Sequence, residues 1–276
     1  MDTQEKQIKE KIVVIGDIHG QLTLLKSLLS EIEKKLSQKV IYEDYTLVFV
    51  GDYVDRGKEI KETIQFLIDL RKSRKDNTTI YIIGNHDHAL ALYLGLWEEP
   101  YKDCFKNTYN DYKQKYQFEK NRGNQTENMH LQGKRYVNSY SGDTTLESYN
   151  AKDNIELLEK MPKDHIDFFK NLEWIYETNN YIFVHAGFDA KRSLDEQKKE
   201  LINKDLSIKR VEQLSSRVYC DELSHPDTNK TIVSGHVTIG CALISKKRIL
   251  CDTSGGVGKK LSAVILPENI IVTNLL

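Results

Sequence analysis

Two carboxylates and an arginine lie within one seven-residue stretch, residues 51–57, which reads Gly-Asp-Tyr-Val-Asp-Arg-Gly. It follows the apolar run 46–50, which is typical of a buried strand. A strand that ends in a Gly-Asp turn presents the carboxylate of Asp52 at its C-terminal end, where open α/β sheets place their sites. Asp55 adds a second carboxylate, and the planar guanidinium of Arg56 can donate two parallel hydrogen bonds to a phosphate. A Gly-Asp turn alone is as readily structural as functional, so its companions decide the interpretation.

Six side chains that could bind a metal ion follow directly after predicted strands. They are Asp17, His19, Asp52, Asn85, His185 and His236. If those strands share one mixed sheet, their C-terminal ends converge on one edge. Carboxylate, imidazole and amide oxygen together suit Mn, Fe or Zn. A lone histidine is more often structural, but three of the chain's eight histidines belong to this set and a fourth, His86, is a candidate acid.

A carboxylate shared between two groups of ligands is what a two-metal centre needs, and Asp52 is the candidate for that role. Two cations about 4 Å apart can bridge and activate a water while binding the oxygens of a phosphate. The hydrolysis of phosphate esters depends mostly on charge neutralisation and positioning. The set therefore indicates a phosphoester substrate.

The elements that must position these side chains alternate between short apolar runs and amphipathic segments, which is typical of an α/β fold. The predicted strands cover residues 12–15, 46–50, 79–83, 181–184 and 231–234. The predicted helices cover residues 22–36, 60–70, 88–94, 154–172 and 191–217. Residues 242–276 alternate short β-runs with turns, and we expect them to form a second sheet of hairpins. The pattern therefore predicts an α/β fold with a mixed sheet and a second sheet.

Composition indicates an ordinary globular protein of 276 residues, 39% hydrophobic, and we expect a single domain, 1–276. Its 40 basic and 41 acidic residues nearly cancel, so neither a nucleic-acid stripe nor a membrane-binding face is expected. No apolar run reaches the ~20 residues that span a bilayer. The charged residues 1–11 predict no signal peptide, and four scattered cysteines suit reduced structural thiols. We therefore expect a cytoplasmic protein, and the chain indicates no obligate partner.

The segment 97–142 interrupts this alternation with a polar, tyrosine-rich sequence and looks like an insertion. Its aromatic residues recur at helical spacing: Trp97, Tyr101, Phe105, Tyr109, Tyr112 and Tyr116. The simpler interpretation, which we favour, is that this stripe packs a helical excursion onto the domain. The alternative is that the helix and the polar loop 121–133 cover the metal edge and help to select substrates.

Five motifs in fixed order carry a family resemblance. They read Gly-Asp-Ile-His-Gly (16–20), Gly-Asp-Tyr-Val-Asp-Arg-Gly (51–57), Gly-Asn-His-Asp (84–87), Val-His-Ala-Gly (184–187) and Ser-Gly-His (234–236). The chain resembles the calcineurin-like metallophosphoesterases, and among them the phosphoprotein phosphatases that act on phosphoserine and phosphothreonine. The resemblance covers residues 12–94 and 141–266, including the stretch 142–149. The tail 251–256, followed by 260–263, is similar to a closing motif of bacterial members.

The resemblance implies central mixed β-sheets in a β-sandwich flanked by helices. It also implies a role for each candidate residue. One metal would be held by Asp17, His19 and Asp52, and a second by Asp52, Asn85, His185 and His236. Manganese is the expected metal, with iron and zinc as alternatives. The activated hydroxide would attack phosphorus in line.

The remaining roles concern the substrate. Arg56 and Asn85 would bind phosphoryl oxygens, and His86 would protonate the leaving oxygen while Asp55 holds its imidazole. A second phosphate-binding arginine is expected between 187 and 235. Arg217 is the best positional match, with Arg210 and Arg192 as alternatives.

The resemblance leaves three functions open. The favoured one is a Ser/Thr-type protein phosphatase or broad phosphomonoesterase, acting on a phosphorylated protein or a small phosphoester. Its enzymatic alternative is a symmetrical diadenosine tetraphosphate hydrolase, because Asp87 stands where the eukaryotic Ser/Thr enzymes usually have Glu. The third is a non-catalytic binding scaffold, which the full set of candidate residues disfavours.

Overall fold

The computed structural model describes residues 10–37, 45–75, 78–96, 136–204, 211–221, 223–258 and 260–274. Its strands are β1 (Ile12–Ile15), β2 (Thr46–Phe49), β3 (Thr79–Tyr81), β4 (Tyr176–Glu177), β5 (Tyr181–Phe183), β6 (Thr231–Ser234), β7 (Leu243–Ile244), β8 (Arg248–Leu250), β9 (Ser262–Leu266) and β10 (Ile270–Thr273). Its helices are α1 (Leu22–Ser37), α2 (Ile60–Ser73), α3 (Asn85–Leu94), α4 (Asp143–Ser148), α5 (Asn154–Lys160), α6 (Lys163–Lys170), α7 (Leu194–Ile202), α8 (Glu212–Ser215) and α9 (Arg217–Asp221).

The strands form two five-stranded sheets, which confirms the predicted α/β class with two mixed sheets. The first has the order β10-β9-β1-β2-β3, and the second has the order β4-β5-β6-β8-β7. β1, β2 and β3 run parallel, as do β5, β6 and β8. β9 pairs antiparallel with both β1 and β10. Because parallel strands end at the same edge, each sheet delivers several loops to one side.

Alternate side chains of the strands serve two separate cores. Ile12 and Val14 of β1 join Phe183 and Val233 of the second sheet in one buried cluster, so the two sheets pack face to face. The neighbouring residues Val13 and Ile15 point the other way, into the cluster that contains the helix residues. Burial on both faces explains why these strands are continuously apolar.

The helices cover the outer faces through amphipathic surfaces. α1 buries Leu25, Leu28 and Ile32 at helical spacing against the first sheet. α2 buries Ile64 and Leu67 in the same cluster and carries Arg71 and Lys72 in its last turn. These contacts fix the β1–α1 and β2–α2 turns that carry candidate ligands.

The candidate strands are divided between the two sheets, so the convergence of their ends does not depend on one shared sheet. The expectation for 242–276 is wrong in part, because the β9–β10 hairpin belongs to the first sheet and only β7 and β8 join the second. Every residue of β9 is buried. Apart from Ser262 this strand is apolar, which suits its position between β1 and β10, where both of its edges are paired and both of its faces are covered.

Three predicted helices have different limits. The single helix expected at 191–217 is replaced by α7, which ends at Ile202, and by the separate short helices α8 and α9. Pro162 separates α5 from α6 within the single helix expected at 154–172, since proline lacks the N–H that a helix interior requires. α3 begins at Asn85 instead of residue 88, which places Asn85 and His86 in its first turn.

Several expectations fall outside the described part of the chain. The aromatic stripe and the loop 121–133 of the insertion lie there, while residues 136–140, at its end, are helical. Cys220, Cys241 and Cys251 are free thiols, and Cys104 is outside the described ranges. Across the described residues, no helix has both the length and the apolar character that a membrane span requires. The single-domain boundary 1–276 stays a prediction.

Candidate metal centre

The six candidate ligands lie at the C-terminal ends of five strands. Asp17 and His19 follow β1, Asp52 follows β2, Asn85 opens α3 after β3, and His185 and His236 follow β5 and β6. Asp17, His19, Asp52 and His185 are buried, and Asn85 and His236 are partly exposed. The two sheets therefore bring together side chains that are up to 219 residues apart in sequence.

Five site residues have left-handed backbone conformations, which non-glycine residues rarely adopt. The φ angles are 47° at His19, 57° at Asp52, 68° at Asp55, 66° at Arg56 and 67° at His236. Such conformations cost of the order of 1–3 kcal/mol each and cluster at functional sites. Their concentration here is independent of side-chain chemistry and indicates that this edge is a functional site.

Two glycines allow the ligand loops to approach closely. A Cβ atom on Gly84 would lie 2.0 Å from Asp52 Oδ1, and one on Gly235 would lie 1.9 Å from Asp17 Oδ1. Real Cβ contacts are never so short, so only glycine fits beside either carboxylate. The glycines of the Gly-Asn-His-Asp and Ser-Gly-His motifs are thus explained by the space that the ligands occupy.

Asp52 lies between two groups of ligand atoms. Its Oδ2 is 3.4 Å from His19 Nε2 on one side and 3.3 Å from His185 Nε2 on the other. Its Oδ1 accepts a hydrogen bond from the His86 backbone N–H at 3.0 Å. Asn85 Oδ1 lies 3.0 Å from His185 Nε2 and 2.8 Å from Nδ1 of His236. One oxygen of Asp52 is therefore placed to be shared, as a two-metal centre requires.

Hydrogen bonds to backbone carbonyls orient two of the imidazoles. His19 Nδ1 donates to Val54 O and His185 Nδ1 donates to Val50 O, each at 2.7 Å. In both rings Nε2 is left facing the ligand cluster. Such second partners fix the orientation and tautomer of metal-binding histidines.

Ligand atoms in two groups lie within 4.8 Å of one another. The first group is His19, Asp52 and His86, and the second is Asp52, His185 and His236. The nitrogen and oxygen donors in both groups fit divalent transition metals. Asp17 is in neither group, although its two carboxylate oxygens accept the His236 backbone N–H at 3.2 and 3.1 Å. The ligand role of Asp17 stays a prediction.

The charge distribution favours ionised Asp52. Burial alone would raise its pKa, but His185, His86 and His19 together hold the pKa of Asp52 well below its usual range. Burial would conversely lower the pKa of His185, yet Asp52 raises it to about 10. The pair therefore holds a carboxylate and an imidazolium.

The imidazoles of His19 and His236 are neutral, because burial lowers the pKa of each to about 3. Neutral imidazole is the form that binds a metal. Burial raises the pKa of Asp17 well above its usual range, and Asp252 adds to that effect.

His86 is oriented by a carboxylate that is itself fully bonded. His86 Nδ1 lies 2.8 Å from Asp55 Oδ2. Asp55 Oδ1 accepts hydrogen bonds from the Tyr136 hydroxyl at 2.6 Å and the Thr145 hydroxyl at 2.5 Å. The structure thus brings the proposed acid and its partner together. Tyr136 and Thr145 are site residues that sequence reasoning did not single out.

Arg56 contacts the candidate ligand His19, the candidate acid His86 and the tail of the chain. Its Nη1 donates to Gly255 O at 2.8 Å and lies 3.1 Å from His19 Nε2, while Nη2 lies 2.9 Å from His86 Nε2. Gly255 comes from the tail motif, whose backbone is held by Asp252: its Oδ1 accepts the N–H of Ser254 and of Gly255. The tail therefore positions the guanidinium, a task that the sequence did not reveal.

Asp87 organises the backbone beneath the site. Its Oδ2 accepts the N–H of Asp52 at 2.7 Å and of Gly84 at 2.9 Å, and its Oδ1 accepts that of Tyr53 at 2.9 Å. Burial, with a contribution from Asp52, raises the pKa of Asp87 to about 7. This single side chain ties the β2 turn to the start of α3.

The three arginine candidates are placed differently. Arg217 is exposed at the start of α9, and its charge contributes to the lowered pKa of His236. Arg192 forms an ion pair with Glu200. Arg210 lies outside the described ranges.

A family model for calcineurin-like phosphoesterases matches residues 10–257. The chain belongs to that family. Among its relatives is the serine/threonine-protein phosphatase BSL2 of Arabidopsis thaliana, 39% identical over 84 residues, which are 30% of this chain and 8% of BSL2. Another is the symmetrical bis(5'-nucleosyl)-tetraphosphatase of Marinomonas sp., 40% identical over 80 residues, or 29% of this chain and 25% of that protein. The matches thus span well under two thirds of either relative.

Two solved structures share the calcineurin-like phosphoesterase fold over nearly the whole chain. One, provisionally named a diadenosine tetraphosphatase, has a TM-score of 0.54 and 18% identity, covering 97% of this chain and 94% of its own. The other is a cold-active protein-tyrosine phosphatase from a psychrophilic Shewanella, with a TM-score of 0.54 and 18% identity, covering 96% and 77%. At this identity they establish the architecture alone.

Proposed function

We propose that the chain hydrolyses phosphate monoesters with two divalent metal ions, as a Ser/Thr-type protein phosphatase or a broad phosphomonoesterase. The observation that carries the proposal is the position of Arg56, whose guanidinium lies between His19 of one ligand group and the acid His86. A phosphate bound there would lie next to the metal site, to the Arg56 guanidinium and to the acid His86.

Each group in the site has a separate role in hydrolysis. Bound metal ions supply positive charge and lower the pKa of water. Arg56 binds the phosphoryl oxygens, and Asn85, which precedes His86 at the start of α3, binds them as well. His86 delivers a proton to the leaving oxygen as its bond to phosphorus breaks, and Asp55 holds the ring in place. Water supplies the new oxygen on phosphorus, so the products are an alcohol and inorganic phosphate.

The metal assignment adds Asp17 and Asn85 to the two ligand groups and keeps His86 as the acid. Asp17, His19 and Asp52 would hold one ion, and Asp52, Asn85, His185 and His236 would hold the other. The mixed oxygen and nitrogen donors support manganese, with iron or zinc as alternatives. Arg217 is the second phosphate-binding arginine in this proposal, since its charge reaches His236 whereas Arg192 is paired with Glu200.

The second candidate function is hydrolysis of symmetrical dinucleoside tetraphosphates. It is supported by the 40% identity to the Marinomonas tetraphosphatase and by the presence of Asp87. The same ligands, Arg56 and His86 would then act on a P–O–P bond. The substrate is a phosphorylated protein or small phosphoester in the first case and a nucleotide in the second.

The experiment compares the two substrate classes with metal-reconstituted protein. Phosphate release from phosphoserine and phosphothreonine peptides is measured beside hydrolysis of diadenosine tetraphosphate. A higher kcat/KM for the peptides supports the first candidate, and a higher value for the dinucleotide supports the second. Absence of turnover with all substrates in protein that binds two metals would leave the non-catalytic scaffold.

A further inference from the structure

A column of three stacked tyrosines ends at the ring of His86. The ring of Tyr140 meets the ring of His86 edge-on, with centroids 5.0 Å apart and an interplanar angle of 88°. Tyr140 stacks on Tyr136 at 5.9 Å, and Tyr136 stacks on Tyr93 at 4.8 Å. Such a column presents a continuous aromatic surface that begins at the proposed acid.

The column is anchored to the catalytic groups. Tyr136 is 5% exposed and its hydroxyl donates to Asp55, so the middle ring has a fixed position. Ser141, which follows Tyr140, has a left-handed φ of 56°, and its carbonyl accepts the Arg56 backbone N–H at 3.4 Å. Tyr140 itself is only partly buried, unlike Tyr136. The outermost ring is therefore held beside the site while keeping part of its surface accessible.

The geometry of proton transfer links this ring to the substrate. His86 must reach the leaving oxygen, so the carbon group on that oxygen has to lie next to the His86 ring. Two rings contact that of His86: His19, which is a candidate metal ligand, at 4.6 Å, and Tyr140 at 5.0 Å. Tyr140 is therefore the neighbour that is available to the leaving group. An aromatic leaving group would stack on Tyr140 or meet it edge-on, whereas an alkyl group lacks the π surface for that contact.

We propose that Tyr140 is a specificity-determining residue that favours phosphoesters with an aromatic leaving group, such as phosphotyrosine or aryl phosphates, over alkyl phosphates. The inference rests on the proposed phosphomonoesterase function and deepens its broad form, since phosphoserine and phosphothreonine are alkyl phosphates. It concerns the leaving group only and leaves the metal ligands and Arg56 in their stated roles.

The test uses one peptide sequence carrying either phosphotyrosine or phosphoserine. The ratio of the two kcat/KM values is compared between the wild type, Tyr140→Phe and Tyr140→Leu, so intrinsic leaving-group reactivity cancels. Tyr140→Phe should keep the wild-type ratio, and Tyr140→Leu should lower it by roughly 2- to 12-fold, the range expected for one aromatic pair. Tyr176→Leu is the control, since this partly buried tyrosine lies on the edge strand β4 and should leave the ratio unchanged.

The direction of the change distinguishes stacking from an indirect effect. If Tyr140 only positioned His86, its loss would penalise the poorer leaving group, serine, and the tyrosine-to-serine ratio would rise. A rise, or no change in Tyr140→Leu, overturns the inference while leaving the phosphomonoesterase function intact. Failure of the wild type to hydrolyse either peptide with two metals bound overturns the proposed function itself.

Discussion

The proposed acid, His86, lies beside Asp55, Arg56 and the ligands His19 and Asp52. Its replacement tests proton transfer separately from metal binding. His86→Asn should lower turnover of alkyl esters by roughly 10²–10⁴-fold, the contribution of a general acid, while two metals stay bound. The loss should be smaller for p-nitrophenyl phosphate, whose leaving group scarcely needs a proton. An equal loss for alkyl and aryl esters would rule out this role for His86.

Arg56 can be tested without removing its charge. Lysine keeps the cation but cannot donate two parallel hydrogen bonds, so Arg56→Lys should weaken both turnover and inhibition by inorganic phosphate. Arg192→Lys is the matched control, because the Arg192–Glu200 pair is exposed and contributes little. If phosphate inhibits Arg56→Lys as strongly as the wild type, Arg56 is a structural residue that holds His19 and Gly255.

The candidate ligands could be predicted from the sequence because they follow apolar runs in short motifs. The residues that hold Asp55 and Arg56 in place could not be predicted in this way. Tyr136 and Thr145 bond to Asp55 across 81 and 90 residues, and Gly255 bonds to Arg56 across 199. No local spacing encodes such contacts. The family resemblance extended to residues 142–149 and 251–256, but it did not reveal what those segments hold.

The turn after β6 gives a test at the level of an element. Alanine at position 235 would place its Cβ 1.9 Å from Asp17 Oδ1 and 3.0 Å from Val50 Cγ2. We expect Gly235→Ala to displace the Asp17 carboxylate, destabilise the fold by about 1–3 kcal/mol and weaken metal binding roughly 10- to 100-fold. The measurements are thermal unfolding and metal titration.

Gly240→Ala provides the matched control, because a Cβ atom there would meet nothing within 4 Å. Its stability should stay within about 0.5 kcal/mol of the wild type. Wild-type metal affinity in Gly235→Ala would contradict the close packing of this turn against Asp17.

The sequence predicts where most strands and helices form, but it does not predict which strands pair with each other. Hydrophobic periodicity located β1, β2, β5, β6, α1 and α2, since burial of one face fixes that pattern. It did not show that β9 pairs with β1 instead of joining a second sheet of hairpins. A wholly apolar run suits any doubly covered strand, so its neighbours depend on the global topology. Pro162 and the earlier start of α3 are likewise boundary effects.

Metal binding at this site should release protons. Asp52 raises the pKa of His185 to about 10, against the effect of burial, so this imidazole is protonated at neutral pH before metal binds. Binding through His185 Nε2 must displace that proton, so we expect release of about one proton and tighter binding as pH rises from 6 to 9. Calorimetry in buffers of different ionisation enthalpy measures the release. Affinity that is flat over this range would argue against His185 as a ligand.

The central claim is a dinuclear site built around Asp52, and metal stoichiometry tests it most directly. Metal-free protein is titrated with Mn²⁺ while phosphate release is followed, and elemental analysis counts the bound ions. We predict two ions per chain, activity that appears with the second equivalent, and abolished turnover in Asp52→Asn, which loses the shared negative charge. Full activity in reconstituted protein that holds no more than one metal ion per chain would contradict the account.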